Sequence, residues 1–176
     1  TDKEYYYFIE ETIFKSWNKK VKAKVRSGGL RIVVYSKDIV NFLINDLSLA
    51  YGSNKCEIVT IPKNILKNWN LVKYILRGIM DTDGSVFISD KHGSRNYPSI
   101  EIATSSQKLA MQIRNVLLKQ SFRVANIRGY KSKSSKRITY RIGLYGKENL
   151  RKWTKEIGFS NPYKMKRALK YGSGAI

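Results

Sequence analysis

The stretch that decides the fold is Tyr74–Ser89, YILRGIMDTDGSVFIS. Its first residues have helical spacing, two carboxylates follow, and Gly84 separates them from an alternating strand. The helical period extends back to Leu71, and Asn70 is the predicted N-cap. Gly84 fits the left-handed position that often ends a helix. The stretch therefore predicts a helix that ends in acidic residues and passes directly into a strand.

Asp81 and Asp83 would lie in the last turn of this helix, where the helix dipole disfavours negative charge by some tenths of a kcal/mol. A divalent cation, or a partner that needs an anion there, would reverse that preference, whereas the alternative is a solvated turn. The spacing excludes an EF-hand, because glycine comes fourth from Asp81 and His92 stands at the twelfth position. Asp-Thr-Asp also differs from the Asp-Thr-Gly of aspartic proteases. We expect His92 to be solvated.

The composition of the chain points to a polyanionic partner. The 176 residues include 34 Lys and Arg against 13 Asp and Glu, a net charge of +21. Such an excess costs self-repulsion, and a nucleic acid is its usual explanation. A merely soluble surface and a ribosome-type RNA binder are the alternatives.

The single cysteine, Cys56, excludes an internal disulfide framework, and no apolar run approaches the ~20 residues that cross a bilayer. We therefore expect a cytoplasmic protein without a membrane partner.

The order of predicted elements occurs twice along the chain. A helical stripe runs through Tyr5, Ile9, Ile13 and Trp17. A basic hairpin follows within residues 20–35, where the apolar positions Val21, Ala23 and Val25 alternate with lysines around a turn at Ser27-Gly28-Gly29. Residues 37–50 return to helical period, and a short helix is predicted near Asn64–Trp69.

The second copy has a helix stripe at Leu109, Ile113 and Leu117, a longer basic hairpin within 122–146 and a helix near 148–157. Only this copy is preceded by the opening stretch and its own hairpin, Val86–Ser89 with Ser99–Thr104. The pattern predicts an internal duplication, with a first half at 1–70 and a second half at 71–176.

LRGIMDTDG at 76–84 resembles the nine-residue LAGLIDADG signature of homing endonucleases, with matches at Leu76, Gly78, Asp81, Asp83 and Gly84. The order of elements resembles that family over essentially the whole chain. The resemblance implies an α+β fold of duplicated α-β-β-α-β-β-α units whose antiparallel sheets form a saddle over DNA. The first unit is incomplete, so its own signature helix and hairpin are expected ahead of Thr1.

The resemblance also implies a function, which is site-specific cleavage of double-stranded DNA by Mg²⁺-dependent phosphodiester hydrolysis, in the service of intron or intein mobility. Asp83 would be the catalytic and metal-binding acid, Asp81 would support the helix end, and Lys164 would be a catalytic basic residue near the scissile phosphate. The alternative is a catalytically inactive relative that acts as a DNA-binding regulator or as a maturase on intron RNA.

Two surfaces complete the expectations. Because one signature is present, its helix is expected to pair with a second copy in a homodimer through Leu71, Ile75, Gly78 and Thr82. DNA contacts are expected from outward residues of the strands and the loop at 131–137, namely Lys20, Lys22, Lys24, Arg26, Arg31, Ser85, Phe87, Ser99, Glu101, Arg123, Lys131, Lys133, Arg137, Thr139 and Arg141.

Overall fold

The structure is a computed structural model that describes residues 2–26, 29–91, 93–133 and 136–172. In the first half lie α1 (Asp2–Trp17), β1 (Lys22–Arg26), β2 (Gly29–Val33), α2 (Lys37–Asn41), α3 (Lys55–Ile58) and α4 (Lys63–Leu66). A π-helical turn, Phe42–Asp46, continues α2. The second half contains α5 (Trp69–Asp83), β3 (Gly84–Lys91), β4 (Ser94–Thr104), α6 (Gln107–Lys119), β5 (Arg128–Tyr130), β6 (Thr139–Tyr145), α7 (Lys147–Glu156) and α8 (Pro162–Gly172). The predicted α+β class and the α-β-β-α-β-β-α order of the second half are confirmed.

The second half is built on an antiparallel sheet with strand order β3-β4-β6-β5. Its register pairs Val86 with Ile100 and Ile100 with Leu144, and these three side chains are buried on one face, together with Ile102 and Ile142. Because strand side chains alternate between faces, the other face carries the predicted outward residues. We call this second surface the polar face; it comprises Ser85, Phe87, Ser99, Glu101, Tyr130, Thr139, Arg141 and Tyr145.

Helices cover the apolar face of the sheet. The core cluster joins Leu76 and Met80 of α5 to Ile113 of α6 and Trp153 of α7, all of them fully buried. The cluster begins at Ile61, before α5, and ends at Ala168 in α8. The division of the chain at residue 70 stays a prediction, and the core includes a residue on its N-terminal side.

The first hairpin is separate from this sheet. Strands β1 and β2 pair only with each other in the described part of the chain. The face of this hairpin that was expected to be apolar and buried is only partly covered. Val21, just before β1, is buried, whereas Val25 near the end of β1 is 86% exposed. Ser27 and Gly28 of the predicted turn lie outside the described residues. No helix among the described residues is long and apolar enough to span a membrane.

Two details of the signature helix differ from expectation. Its N-cap is Asn68, whose side chain accepts a hydrogen bond from the amide of Asn70, the residue predicted for that role. Gly84 is not left-handed but extended, with φ −86° and ψ 164°. A Cβ there would lie 2.7 Å from the Met80 carbonyl oxygen. Glycine is therefore required for close approach, because the strand starts directly against the last helical turn.

Elsewhere, two predicted elements are shorter than the pattern indicates. The helical period at 37–50 ends at Asp46, where the π-helical turn breaks the repeat. The second basic hairpin pairs only over Arg128–Tyr130 on its first side, and Val124 adds an isolated bridge to Leu144.

The two glycines of the signature offer a matched test. Gly84→Ala should destabilise the fold by about 1–3 kcal/mol, since the added methyl group is overpacked against Met80. Gly78→Ala should raise stability by about 1 kcal/mol at concentrations where the chain is monomeric, because nothing lies within 4 Å of a Cβ there and alanine is the better helix former. Urea unfolding of both variants measures the difference. Equal effects would contradict this account of Gly84.

Candidate functional site

The end of α5 is anchored to the loop between α7 and α8. The Asp81 side chain is buried, with the residue 3% exposed, and its Oδ2 accepts a hydrogen bond of 2.8 Å from the Ser160 amide. The Asn161 side-chain amide donates to the Asp81 carbonyl oxygen at 3.3 Å, while its Oδ1 accepts from the Tyr163 amide and so caps α8. Asp81 is thus held as a structural acid between two helix ends.

Lys164 binds the carbonyl end of α5 directly. Its Nζ donates to the carbonyl oxygens of Met80 at 2.6 Å, Asp81 at 2.8 Å and Thr82 at 3.4 Å. Carbonyls in the last turn of a helix lack intrahelical partners, and a cation there stabilises them. The half-buried ammonium group of Lys164 therefore serves as the C-terminal cap of α5. Its catalytic role stays a prediction.

The charges at this junction oppose one another. Burial raises the pKa of Asp81, although the backbone amides of Ser160 and Asn161 and the Lys164 cation pull it down. Burial lowers the pKa of Lys164 against the charges of Asp81 and Asp83. One oxygen of Asp81, Oδ1, is buried without a hydrogen-bond partner. Burial, with the charge of Asp81 as a second cause, also raises the pKa of Tyr5 to about 12.

Asp83 differs from Asp81, because its side chain is exposed. It lines an apolar groove of about 810 Å³ whose walls also include Ile75 and Ile79 of α5 and Thr104 and Thr139 of the sheet. The last turn of α5 thus carries one buried carboxylate, Asp81, and one exposed carboxylate, Asp83. The exposed acid is available to a ligand next to the sheet.

The predicted DNA contacts divide into groups. Ser85, Arg123, Lys131, Lys133, Arg137 and Arg141 are exposed, and Phe87, Glu101 and Thr139 are half-buried, in the second half. Lys20 precedes the separate hairpin, which carries Lys22, Lys24 and Arg31, also exposed, while the side chain of Arg26 lies outside the described residues. Two of these cations are paired, Arg141 with Glu101 at 3.3 Å and Arg137 with Glu57 at 2.7 Å.

One of these residues, Ser99, is not accessible in the structure, and its contact with DNA stays a prediction. Ser99 points to the polar face, yet it has no exposed surface, and its hydroxyl lies 3.2 Å from the Ser89 hydroxyl. Larger neighbours on paired strands, Phe87 and Tyr145, stand directly opposite it in the register. A short side chain between two aromatic residues is easily covered, which strand alternation alone cannot reveal. His92 and two residues of the predicted loop, Ser134 and Ser135, lie outside the described residues.

The proposed helix interface is largely open. Leu71 is 50% exposed, Gly78 and Thr82 are exposed, and Ile75 is half-buried on the groove. The Thr82 hydroxyl donates to the Gly78 carbonyl oxygen at 3.0 Å, so both residues stay on one turn of the exposed surface. This face of α5 is uncovered in a single copy of the described chain.

Sequence reasoning missed Ser160 and Asn161. The Asn161-Pro162 pair is an ordinary signal for the start of a helix, and that signal was available. Their contacts with Asp81 span about eighty residues of sequence, so no local pattern could reveal them.

The fold and this junction together define an α+β domain in which a signature helix ends in one buried and one exposed acid beside a polar sheet. The chain belongs to the LAGLIDADG-like domain family, which matches residues 70–158. It is 30% identical over 162 residues to the replication factor C small subunit of Methanocaldococcus jannaschii, a match that covers 92% of this chain and 8% of that protein. The corresponding protein of Thermococcus kodakarensis is 30% identical over 127 residues, covering 70% of this chain and 12% of the relative. The chain thus spans only a small part of the relatives that it matches.

Asp81→Asn should remove the part of the pH dependence of the free energy of unfolding that comes from the Asp81 carboxyl group. A folded-state pKa raised above the ordinary value of about 3.9 means that the folded protein holds this proton more tightly than the unfolded chain. The corresponding stabilisation is fully present below the ordinary pKa and is lost as pH rises through the raised pKa.

The free energy of unfolding of the parent minus that of Asp81→Asn should therefore fall over this window and stay level above it. Urea unfolding at a series of pH values from acid to neutral provides the measurement. A difference that rises with pH would mean that Lys164 and the Ser160 amide outweigh burial.

Proposed function

We propose that this chain binds duplex DNA through the polar face and, with a divalent cation at Asp83, hydrolyses phosphodiester bonds at a specific sequence. The observation that carries the proposal is the exposed carboxylate of Asp83 at the end of the signature helix. It stands one residue before the edge strand β3 and so next to the surface on which DNA would lie.

The charge of the chain supports DNA as the partner. Cations on the sheet are interleaved with aromatic rings, as where the Arg141 guanidinium lies 5.9 Å from the ring centre of Tyr130. The separate hairpin repeats this arrangement with Lys22 and Tyr35 at 5.7 Å. Lysine and arginine neutralise phosphates, and strands that lie in the major groove reach base edges. Binding should therefore depend steeply on salt.

The ligands available at Asp83 fit a divalent cation whose coordination shell is completed by phosphate oxygens of the DNA. Among the described residues no group of three or more His, Cys, Asp or Glu side chains converges to form a protein-only metal cage. Mg²⁺ usually takes one or two carboxylates and completes its shell with phosphate oxygens and water. Asp83 supplies one carboxylate, exposed and free of the contacts that hold Asp81. When bound, such a cation supplies activation of water and neutralisation of phosphate charge.

Two neighbouring residues, Lys164 and Asp81, influence the charge and the position of Asp83. The Lys164 ammonium group occupies the last carbonyls of α5, which would otherwise add partial negative charge beside Asp83. Asp81 ties the helix end to Ser160 and so fixes the direction in which Asp83 leaves the helix. In this proposal Lys164 acts on the scissile phosphate only through the position and charge of Asp83.

Cleavage of both strands requires a second carboxylate. We propose that it comes from another copy, through the uncovered face of Leu71, Ile75, Gly78 and Thr82 around a two-fold axis. Gly78 and Thr82 are small enough for two helices to approach closely. Gly78→Ala should then weaken association in analytical ultracentrifugation, and a parent that stays monomeric at high concentration would contradict this pairing.

One alternative is a relative that does not cut and instead binds DNA, or binds intron RNA as a maturase. It is favoured by the observation that the described chain presents one exposed signature acid, whereas cleavage of both strands needs two. The decisive variant is Asp83→Asn, which removes the anionic ligand and keeps the shape of the side chain. Metal-dependent nicking should fall by roughly two or more orders of magnitude, while metal-free binding holds and folding stability holds or rises slightly. Duplexes selected from a randomised library by binding to the parent serve as substrates.

Asp81→Asn is the matched control, because it removes the same charge two residues earlier, from the buried side of the same helical turn. It should reduce nicking less than Asp83→Asn does. Undiminished nicking by Asp83→Asn would remove this residue from the reaction. Tight DNA binding by a parent that does not nick with Mg²⁺ or Mn²⁺ would establish the non-cleaving alternative.

A further inference from the structure

A second polar feature lies beside the site, in the cleft between α8 and the edge strand β3. This cleft has a volume of about 360 Å³, and its lining includes Ser85, Phe87, Glu101, Tyr163, Lys164 and Arg167. Three of these residues belong to the polar face and three to the first turns of α8. The cleft is therefore continuous with the surface proposed to bind DNA, and Gly84, which follows Asp83, forms part of its wall.

Arg167 is held in a fixed position in this cleft. Its Nη1 donates to the Tyr163 hydroxyl at 2.9 Å and its Nε donates to the Tyr171 hydroxyl at 3.2 Å. The guanidinium also lies over both rings, 5.4 Å and 5.6 Å from their centres. Tyr171 packs against the hydrophobic core, so one of the two hydroxyl groups that orient the arginine belongs to a side chain held by the core.

This guanidinium lacks an acidic counter-ion. No carboxylate pairs with Arg167 among the residues that the structure describes. Glu101 lines the same cleft, but its carboxylate pairs with Arg141. Phenol oxygens orient a guanidinium without cancelling its charge. A fixed, uncompensated arginine in a cleft is the arrangement that binds a phosphate group with geometric specificity.

We infer that this cleft binds a phosphodiester group of the DNA backbone, with Arg167 as its main donor. The inference rests on the proposed function, since it places a backbone phosphate next to the one that Asp83 would address. The DNA backbone is the phosphate source that fits, because the cleft opens on the polar face and adjoins the signature acid. Tyr163 and Tyr171 act as positioning residues for the guanidinium.

Arg167→Gln tests the inference by its effect on the salt dependence of DNA binding. One lost phosphate contact should reduce the slope of log affinity against log salt by about 0.9 and weaken binding roughly three- to tenfold. The matched control is Arg151→Gln, which removes the same charge from an exposed position on α7, where Arg151 pairs with Glu148 at 3.1 Å. The control should leave the slope unchanged.

A second variant separates position from charge. Tyr163→Phe combined with Tyr171→Phe removes both phenol oxygens, keeps both rings and leaves the net charge unchanged. If Arg167 contacts a phosphate through a fixed guanidinium, this variant should also weaken binding. Parent-like affinity in the double variant would overturn the inference.

Equal losses of affinity and slope in Arg167→Gln and Arg151→Gln would overturn it as well, and would leave the proposed function standing. A parent that binds selected duplexes but does not nick them contradicts only the proposed cleavage, because the cleft is judged by binding. Melting temperatures of all variants show whether a loss reflects unfolding.

Discussion

The contact on which this domain depends is the one between the carbonyl end of α5 and the start of α8. Two carboxylates on the last turn of a helix add to the negative end of its dipole. The Lys164 ammonium group, the Ser160 amide and the positive end of α8 oppose that charge at the same point. The opposition allows one acid, Asp81, to be buried, and the other, Asp83, to remain exposed. A single helix end thereby supports both the fold and the proposed chemistry.

The junction between α5 and β3 also determines which face of the sheet packs against the helices. Because Gly84 begins β3 without an intervening loop, the end of α5 determines which strand residues face the helices. Val86 points into the core, and Ser85 and Phe87 point to the polar face. A side chain at Gly84 would separate strand from helix and disturb this relation. The glycine of the signature is thus explained by close packing, and the proposed DNA surface follows from it.

Much of this arrangement could be predicted from sequence. The periodic patterns predicted α5, both hairpins of the second half and the polar face, since alternation and helical spacing are local properties. The burial of Asp81 and of Ser99, the extended backbone of Gly84 and the carbonyl contacts of Lys164 could not be predicted. The burial of Asp81 and the contacts of Lys164 depend on residues that are distant in sequence, and the burial of Ser99 depends on the size of its cross-strand neighbours. The backbone of Gly84 depends on how closely the strand follows the last helical turn. The uncovered first hairpin likewise shows that alternation predicts a strand and not what packs against it.

The measurement that tests the account most directly is paramagnetic broadening by Mn²⁺ in the DNA complex. Substoichiometric Mn²⁺ added to the isotope-labelled chain on a selected duplex should first broaden the amide resonances of Asp83, Gly84 and Ser85. The same addition to Asp83→Asn should leave those resonances sharp. Broadening centred on another carboxylate, such as Asp90 or Glu148, or an unchanged pattern in the variant, would contradict the assignment of the exposed signature acid as the cation ligand.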